Sequence, residues 1–173
     1  LSAEFIGNKE IYLKKNIIIF VLGAAVVVAL DQITKAAIVG NFSIHESHTV
    51  IDGLFNIVYV MNPGAAFGFL ANASETFRRI FFIGITATVI LLIIYYIVKS
   101  SLQNTLYVIS LTLIFSGAVG NLIDRIRFGA VVDFLDVYIG TAHWPAFNVA
   151  DSSISVGAVL MIWGMIINRK KAT

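Results

Sequence analysis

The sequence predicts a mainly α-helical integral membrane protein: four transmembrane helices, a small outward-facing β-sheet cradle and a short interfacial helix. Three observations carry this reading. The 173 residues are 58% hydrophobic and only 13% charged, about half the charged fraction usual in a soluble domain, and the mean hydropathy is +0.89. Four stretches are long and apolar enough to cross a bilayer, at roughly 20 residues per crossing. Basic residues gather on one side of those crossings, as they do on the cytoplasmic face of membrane proteins.

Residues 1–15 are expected to form a cytoplasmic tail, in which the stretch up to Glu10 has no clear periodicity and is set aside from the fold argument. The first span follows Lys14 and Lys15, is apolar from Ile17 to Leu30, meets Asp31 and Lys35, and resumes to Val39. The same features suit a secretory signal peptide, but apolar character continues past Asp31. A helix over residues 16–39 would measure ~36 Å at 1.5 Å per residue, enough to span. Residues 78–98 form the second span, 105–123 the third and 148–167 the fourth, with 168–173 as a second tail.

Lys9, Lys14 and Lys15, then Lys99, then Arg169, Lys170 and Lys171 fall on one side if the chain crosses four times. Both termini are therefore expected inside, and residues 40–77 and 124–147 outside. Within the first outer segment, Phe55, Ile57, Tyr59 and Met61 alternate with other residues ahead of Asn62, Pro63 and Gly64, a strand followed by a turn. In the second, Val131, Val132, Phe134, Leu135 and Tyr138 are interleaved with Asp133 and Asp136. That pattern suits an amphipathic element at the interface, with both aspartates on a solvated face and Tyr138 and Trp144 at headgroup level.

Composition also excludes chemistries. Twelve basic against ten acidic residues leave a charge of +2, without the basic stripe of a nucleic-acid binder. With no cysteine there is no disulfide, thiol nucleophile or thiolate zinc site. His45, Glu46 and His48 have the wrong spacing for a zincin helix, and only His143 lies elsewhere, so no metal and no cofactor are expected. Ser152 and Ser153 have no Lys or His placed to activate them.

Ionisable groups in or at the ends of spans are costly to desolvate and are therefore functional candidates. Asp124 ends the third span and Asp151 opens the fourth, which puts them at the same depth on consecutive antiparallel helices. Each has an asparagine three residues earlier, Asn121 and Asn148, on the same helical face. Such an amide can orient a carboxylate or hold a peptide backbone, while Asn148 equally suits an N-cap. Two aspartates sharing a proton can activate water against an amide; the alternative is a pair of interface charges, Asp124 beside Arg125 and Asp151 at a helix dipole. Asp31 and Lys35, four residues apart, suit a salt bridge. Gly64 to Ala66 suits a close backbone approach or a plain turn.

Five motifs in order resemble bacterial lipoprotein signal peptidase, also called signal peptidase II. They are Asp31-Gln32-Ile33-Thr34-Lys35; Asn62-Pro63-Gly64-Ala65-Ala66-Phe67; Gly120-Asn121-Leu122-Ile123-Asp124-Arg125; Val131-Val132-Asp133-Phe134; and Phe147-Asn148-Val149-Ala150-Asp151. The resemblance implies a four-helix membrane aspartyl endopeptidase with a β-rich cradle and a periplasmic helix, in the bacterial inner membrane. It implies Asp124 and Asp151 as the catalytic dyad. It also implies Asn62, Gly64, Asn121, Arg125, Asn148 and Asp133 as substrate-binding or supporting residues, joined by Asp31 and Lys35. The implied substrate is a prolipoprotein whose cysteine already carries diacylglyceryl, cut immediately before that cysteine, with globomycin as inhibitor. A monomer in contact with membrane lipid is expected. The competing classes are an ion-coupled carrier, against which the charges cluster at one side without an internal repeat, and a membrane adaptor needing no site.

Overall fold

The computed structural model describes residues 2–64, 70, 73–99 and 104–170; Ala65, Ala66, Phe67 and Lys171 of the sequence reading lie outside these. Four helices, α1 (Ser2–Asn41), α2 (Glu75–Lys99), α3 (Thr105–Phe128) and α4 (Val149–Lys170), contain the four apolar runs and make a multi-pass membrane bundle. Large aliphatic side chains such as Leu22, Val26, Leu91, Leu92, Val159 and Ile162 stay exposed on its outside. In a bilayer that surface meets lipid, while the helical backbone satisfies its own polar groups.

Helix α3 is the hub, packed against α1, α2 and α4. Small residues let it approach α4 closely: a Cβ on Gly117 would run into the backbone oxygen of Ala150, and one on Gly157 would sit 2.8 Å from the Ser110 carbonyl oxygen. Asn104 caps its start by accepting from the Leu106 N–H at 2.9 Å. Its end lies five residues beyond the predicted limit of Ile123, where Gly129 takes a φ of 75° and donates its N–H to the Arg125 carbonyl at 3.1 Å. Asp124 and Arg125 thus sit inside the last turns of the helix rather than past its end.

A four-stranded antiparallel sheet, ordered β1 (Ser47–Ile51), β2 (Phe55–Asn62), β3 (Val131–Ile139) and β4 (Ala142–His143), covers the end of the bundle where α1 and α3 finish and α4 begins. Buried Ile38, Tyr59, Val132 and Phe134 fasten it to the top of α1. The predicted strand at residues 55–62 is there, but the interfacial helix expected within residues 124–147 is not: residues 131–139 form β3, paired with β2 from Phe55↔Val137 to Asn62↔Val131. β-branched and aromatic residues beginning just after the Gly129 stop favour a strand once β2 offers an edge. Three residues of β2 from Ile57 face two of β3 before Val60 meets Asp133, so a bulge lies in β2 beside the aspartate.

Candidate active site

The buried charge centre of the bundle lies under the sheet. One turn of α1 carries Asp31 and Lys35, and the expected salt bridge between them is 2.9 Å long. Lys35 also reaches Asp124 at 2.8 Å and donates to the Asn121 Oδ1 at 3.0 Å. An ammonium has three protons, and all three are used. All three charged residues of this cluster are buried, Asp31 and Asp124 almost completely, so pairing is what makes their desolvation tolerable.

Asp124 is saturated by these contacts. Gln32 Nε2 donates to its Oδ1 at 3.2 Å, and the Val132 N–H donates to its Oδ2 at 3.1 Å. Gln32 further bridges Asp31 at 3.1 Å and the Gly120 carbonyl at 3.2 Å. A Cβ on Gly120 would collide with the Asp31 carboxylate, which in turn accepts the Ala150 N–H at 2.9 Å. Asp31, Lys35 and Asp124 therefore tie α1, α3, β3 and α4 together.

Two other carboxylates face a cavity of about 920 Å³ lined by Asn62, Gly64, Asn121, Arg125, Asp133 and Asp151, with apolar walls from Met61, Val89, Ile114 and Phe147. Asp124 is not among the residues lining it. The sequence reading paired Asp124 with Asp151; the fold instead turns Asp124 towards Lys35 and brings Asp133 and Asp151 to one cavity. The same reading put Asp133 and Asp136 on one solvated face, yet both are buried. On a strand they point to opposite sides. Asp133 shares a face with Val131 towards the cavity, whereas Asp136 accepts from Asn56 Nδ2 at 2.8 Å and meets His143 Nδ1 at 2.9 Å.

The asparagines cross between motifs. Asn121 Nδ2 donates to Asp151 Oδ1 at 2.7 Å, and Asn148 Nδ2 donates to Asp133 Oδ1 at 2.7 Å. Asn148 is also the N-cap of α4, its Oδ1 accepting the Asp151 N–H at 2.8 Å, so both readings of that residue hold at once. Asn62 Nδ2 donates to Asp133 Oδ2 at 2.9 Å while its Oδ1 accepts the Gly64 N–H at 3.1 Å, an Asx turn that fixes the side chain. Arg125 crosses the Phe82 ring at 5.0 Å and donates from Nη2 to the Gly64 carbonyl at 3.3 Å. It lies within electrostatic reach of both Asp151 and Asp133.

Burial pushes the Asp133 carboxyl up to about 7, and the charge of Asp151 pushes the same way against hydrogen bonds from Asn62 and Asn148 and the charge of Lys35. A desolvated carboxyl beside a second carboxylate holds a proton near neutral pH. Of the other candidates, His45 and His48 are exposed on or beside β1, Ser153 donates to the Leu113 carbonyl at 2.7 Å, and Ser152, on the cavity wall, donates to the Asn148 carbonyl at 2.9 Å. The sequence gives Gln32 no role beyond its place between Asp31 and Lys35 in the first motif, and its contacts arise only in the fold.

A family model described as Signal peptidase (SPase) II matches residues 23–167. The chain is 51% identical to the lipoprotein signal peptidase of Syntrophus aciditrophicus over 159 residues, covering 92% of this chain and 99% of that protein. With the lipoprotein signal peptidase of Desulforapulum autotrophicum it shares 47% over 148 residues, 86% of this chain and 91% of the other. A bacterial membrane enzyme of known structure superposes with a TM-score of 0.80 at 35% identity, covering 89% of this chain and 91% of its own. The chain belongs to the signal peptidase II family, membrane peptidases that remove signal peptides from prolipoproteins.

Proposed function

We propose that this peptidase is an aspartyl endopeptidase whose reacting carboxyls are Asp133 and Asp151, and that it cuts a diacylglyceryl-modified prolipoprotein immediately before the lipidated cysteine. The observation that carries this reading is the contrast among the motif carboxylates at this end of the bundle: Asp133 and Asp151 line the cavity, while Asp124 is spent on Lys35, Gln32 and Val132, and Asp31 on Lys35, Gln32 and Ala150.

The pair shares one proton. Its ionised member takes a proton from water as the water oxygen attacks the scissile carbonyl carbon, and its protonated member gives its proton to the carbonyl oxygen. The tetrahedral species then collapses, the C–N bond breaks, and a proton passes to the departing amine of the cysteine. Asn121 and Asn148 each hold one oxygen of one carboxyl, which fixes both groups without adding charge. Among the described residues Asp151 Oδ2 accepts no hydrogen bond, leaving that oxygen for water. Arg125 lines the same cavity and donates from Nη2 to the Gly64 carbonyl, so its guanidinium is placed to offer a donor to the substrate backbone.

The substrate explains the location. A diacylglyceryl chain keeps its acyl tails in lipid and its peptide bond at the membrane surface, so the reacting groups belong at the ends of helices rather than at mid-span. In this reading the enzyme sits in the bacterial inner membrane with both termini cytoplasmic and the sheet outside, and globomycin occupies the same cavity.

The test is cleavage of a diacylglyceryl-modified prolipoprotein peptide by the purified protein in nanodiscs, run beside Asp133→Asn, Asp151→Asn, Asp124→Asn and an unlipidated peptide. Loss of about 10²–10⁴-fold in turnover is expected for the first two variants, with Asp124→Asn retaining turnover per folded molecule. Full activity of Asp133→Asn alongside a folded but inactive Asp124→Asn would return the dyad to Asp124 and Asp151.

A further inference from the structure

The basic residues of the bundle divide by type as well as by end. At the end away from the sheet stand Lys14, Lys15 and Lys99. At the sheet end Lys35 is sealed in the buried charge centre, and every other basic residue is an arginine: Arg78 and Arg79 at the start of α2, Arg125 and Arg127 in the last turn of α3. The sheet itself carries none.

Arg125 belongs to the active-site cavity, and Arg78 turns back to the Ala73 carbonyl at 3.0 Å. Arg79 and Arg127 are exposed, and each is held by a neutral partner. Arg79 donates from Nη2 to the carbonyl of Ile126 at 2.9 Å, the residue before Arg127, which brings the two arginines to one corner between α2 and α3. The Arg127 guanidinium lies over the Phe128 ring at 4.8 Å. Capping a carbonyl uses one of the five N–H donors of a guanidinium, and stacking on a ring uses none. Among the described residues no carboxylate lies within 4.0 Å of either arginine. Glu75, one turn before Arg79, has its Oε1 3.8 Å from where a Cβ on Gly129 would stand.

The depth of this corner is fixed by α2. From Arg79 to Lys99 the helix rises about 30 Å, the thickness of the hydrocarbon core, so the two residues mark its two boundaries. Exposed Phe77, Ile80, Ile126 and Phe128 flank the arginines.

We propose that Arg79 and Arg127 bind the phosphodiester of an anionic phospholipid in the leaflet on the sheet's side. Two guanidinium forks match phosphate oxygens pairwise, which a lysine ammonium does not. A headgroup without an ammonium leaves the negative charge uncompensated for the pair to meet. The flanking phenylalanine and isoleucine side chains then meet the upper acyl chains, a contact that a dissolved phosphate ion would not make. A lipid held there bridges the start of α2 and the end of α3, two residues from Arg125.

The experiment is native mass spectrometry of the full chain released from detergent micelles, titrated with phosphatidylglycerol, phosphatidylcholine or inorganic phosphate. The wild-type protein is expected to retain phosphatidylglycerol in preference to phosphatidylcholine. That binding should weaken about fivefold in Arg127→Gln and about 25-fold when Arg79→Gln is added, at about fivefold per basic group, and should keep its wild-type strength in Lys99→Gln. Arg127→Gln removes only a ring contact, so it decides the matter even if loss of the Ile126 contact unfolds the double variant. Equal affinity for the two lipids, an unchanged affinity in Arg127→Gln, or an equal loss in Lys99→Gln would overturn the proposal. Displacement of phosphatidylglycerol by inorganic phosphate at the concentration where phosphate binds alone would make this a site for a free anion, and would overturn the lipid assignment.

Discussion

Asn121 donates to Asp151 at 2.7 Å because Lys35, a pure donor, holds the other end of its amide at 3.0 Å. A residue of α1 thereby decides which face of an α3 side chain meets an α4 carboxylate. Replacing Asn121 by Ala removes a hydrogen bond to a charged group, worth about 1.5–3 kcal/mol. If that bond supports the reacting geometry, kcat is expected to fall roughly 10–100-fold with a smaller change in KM. Steady-state kinetics on the lipidated peptide would show it.

The Asp31, Lys35 and Asp124 cluster is expected to act on stability first. Lys35→Met leaves two buried carboxylates without their counter-charge, and breaking such a pair costs about 3–5 kcal/mol. Asp31→Asn should cost less, since the amide oxygen still accepts the Ala150 N–H and Lys35 keeps Asp124. Thermal unfolding of both variants in the same detergent gives the order directly.

The position of the Asp133 proton predicts two pH effects. Its carboxyl titrates at about 7 in the folded chain against an ordinary 3.8, so between those values the folded state binds more protons than the unfolded one. Stability from this group is therefore expected to fall as pH rises from about 4 to 7, and to level off above. Asp133→Asn should flatten that slope in a series of melting curves. If the shared proton is needed for catalysis, kcat should also decline on the alkaline side of about pH 7.

His143 holds the outer edge of the sheet. Its ring stacks on Tyr138 at 4.8 Å and its Nδ1 meets the Asp136 carboxylate at 2.9 Å, just before Trp144 and Phe147, which line the cavity. His143→Ala is expected to cost about 1–3 kcal/mol and to raise KM more than it lowers kcat. An unchanged KM would mean that the cavity wall stands without this contact.

Glycines separate packing from propensity. A Cβ at Gly117 meets the Ala150 carbonyl, whereas at Gly84 of α2 nothing lies within 4 Å. Gly117→Ala should destabilise by about 1–3 kcal/mol through overpacking. Gly84→Ala should be neutral or stabilise by up to about 1 kcal/mol through helix propensity. Parallel melting curves decide between a packing and a propensity origin.

Much of the architecture was legible in the chain. Apolar runs of membrane-spanning length marked all four helices, the first despite Asp31 and Lys35 within it, because crossing hydrocarbon demands long, mainly apolar segments. Alternation ahead of Asn62-Pro63-Gly64 marked β2. Spacing of four residues marked the Asp31 and Lys35 bridge, because such residues are neighbours on any helix. The limits of α3 were less legible: charged Asp124 and Arg125 looked like an exit from the membrane, but their partners let the helix carry them to Phe128.

What the sequence by itself determined was therefore the helical membrane bundle, the five motifs and the end of the bundle at which they meet. Which carboxylates share a cavity was decided only by the tertiary structure. A strand turns Asp133 and Asp136 to opposite faces where a helix would have put them together, and that choice depended on β2 offering an edge 70 residues away. Likewise Asp124 was claimed by Lys35 of a distant helix, an assignment made by three-dimensional pairing of buried charges, which spacing along one element does not encode.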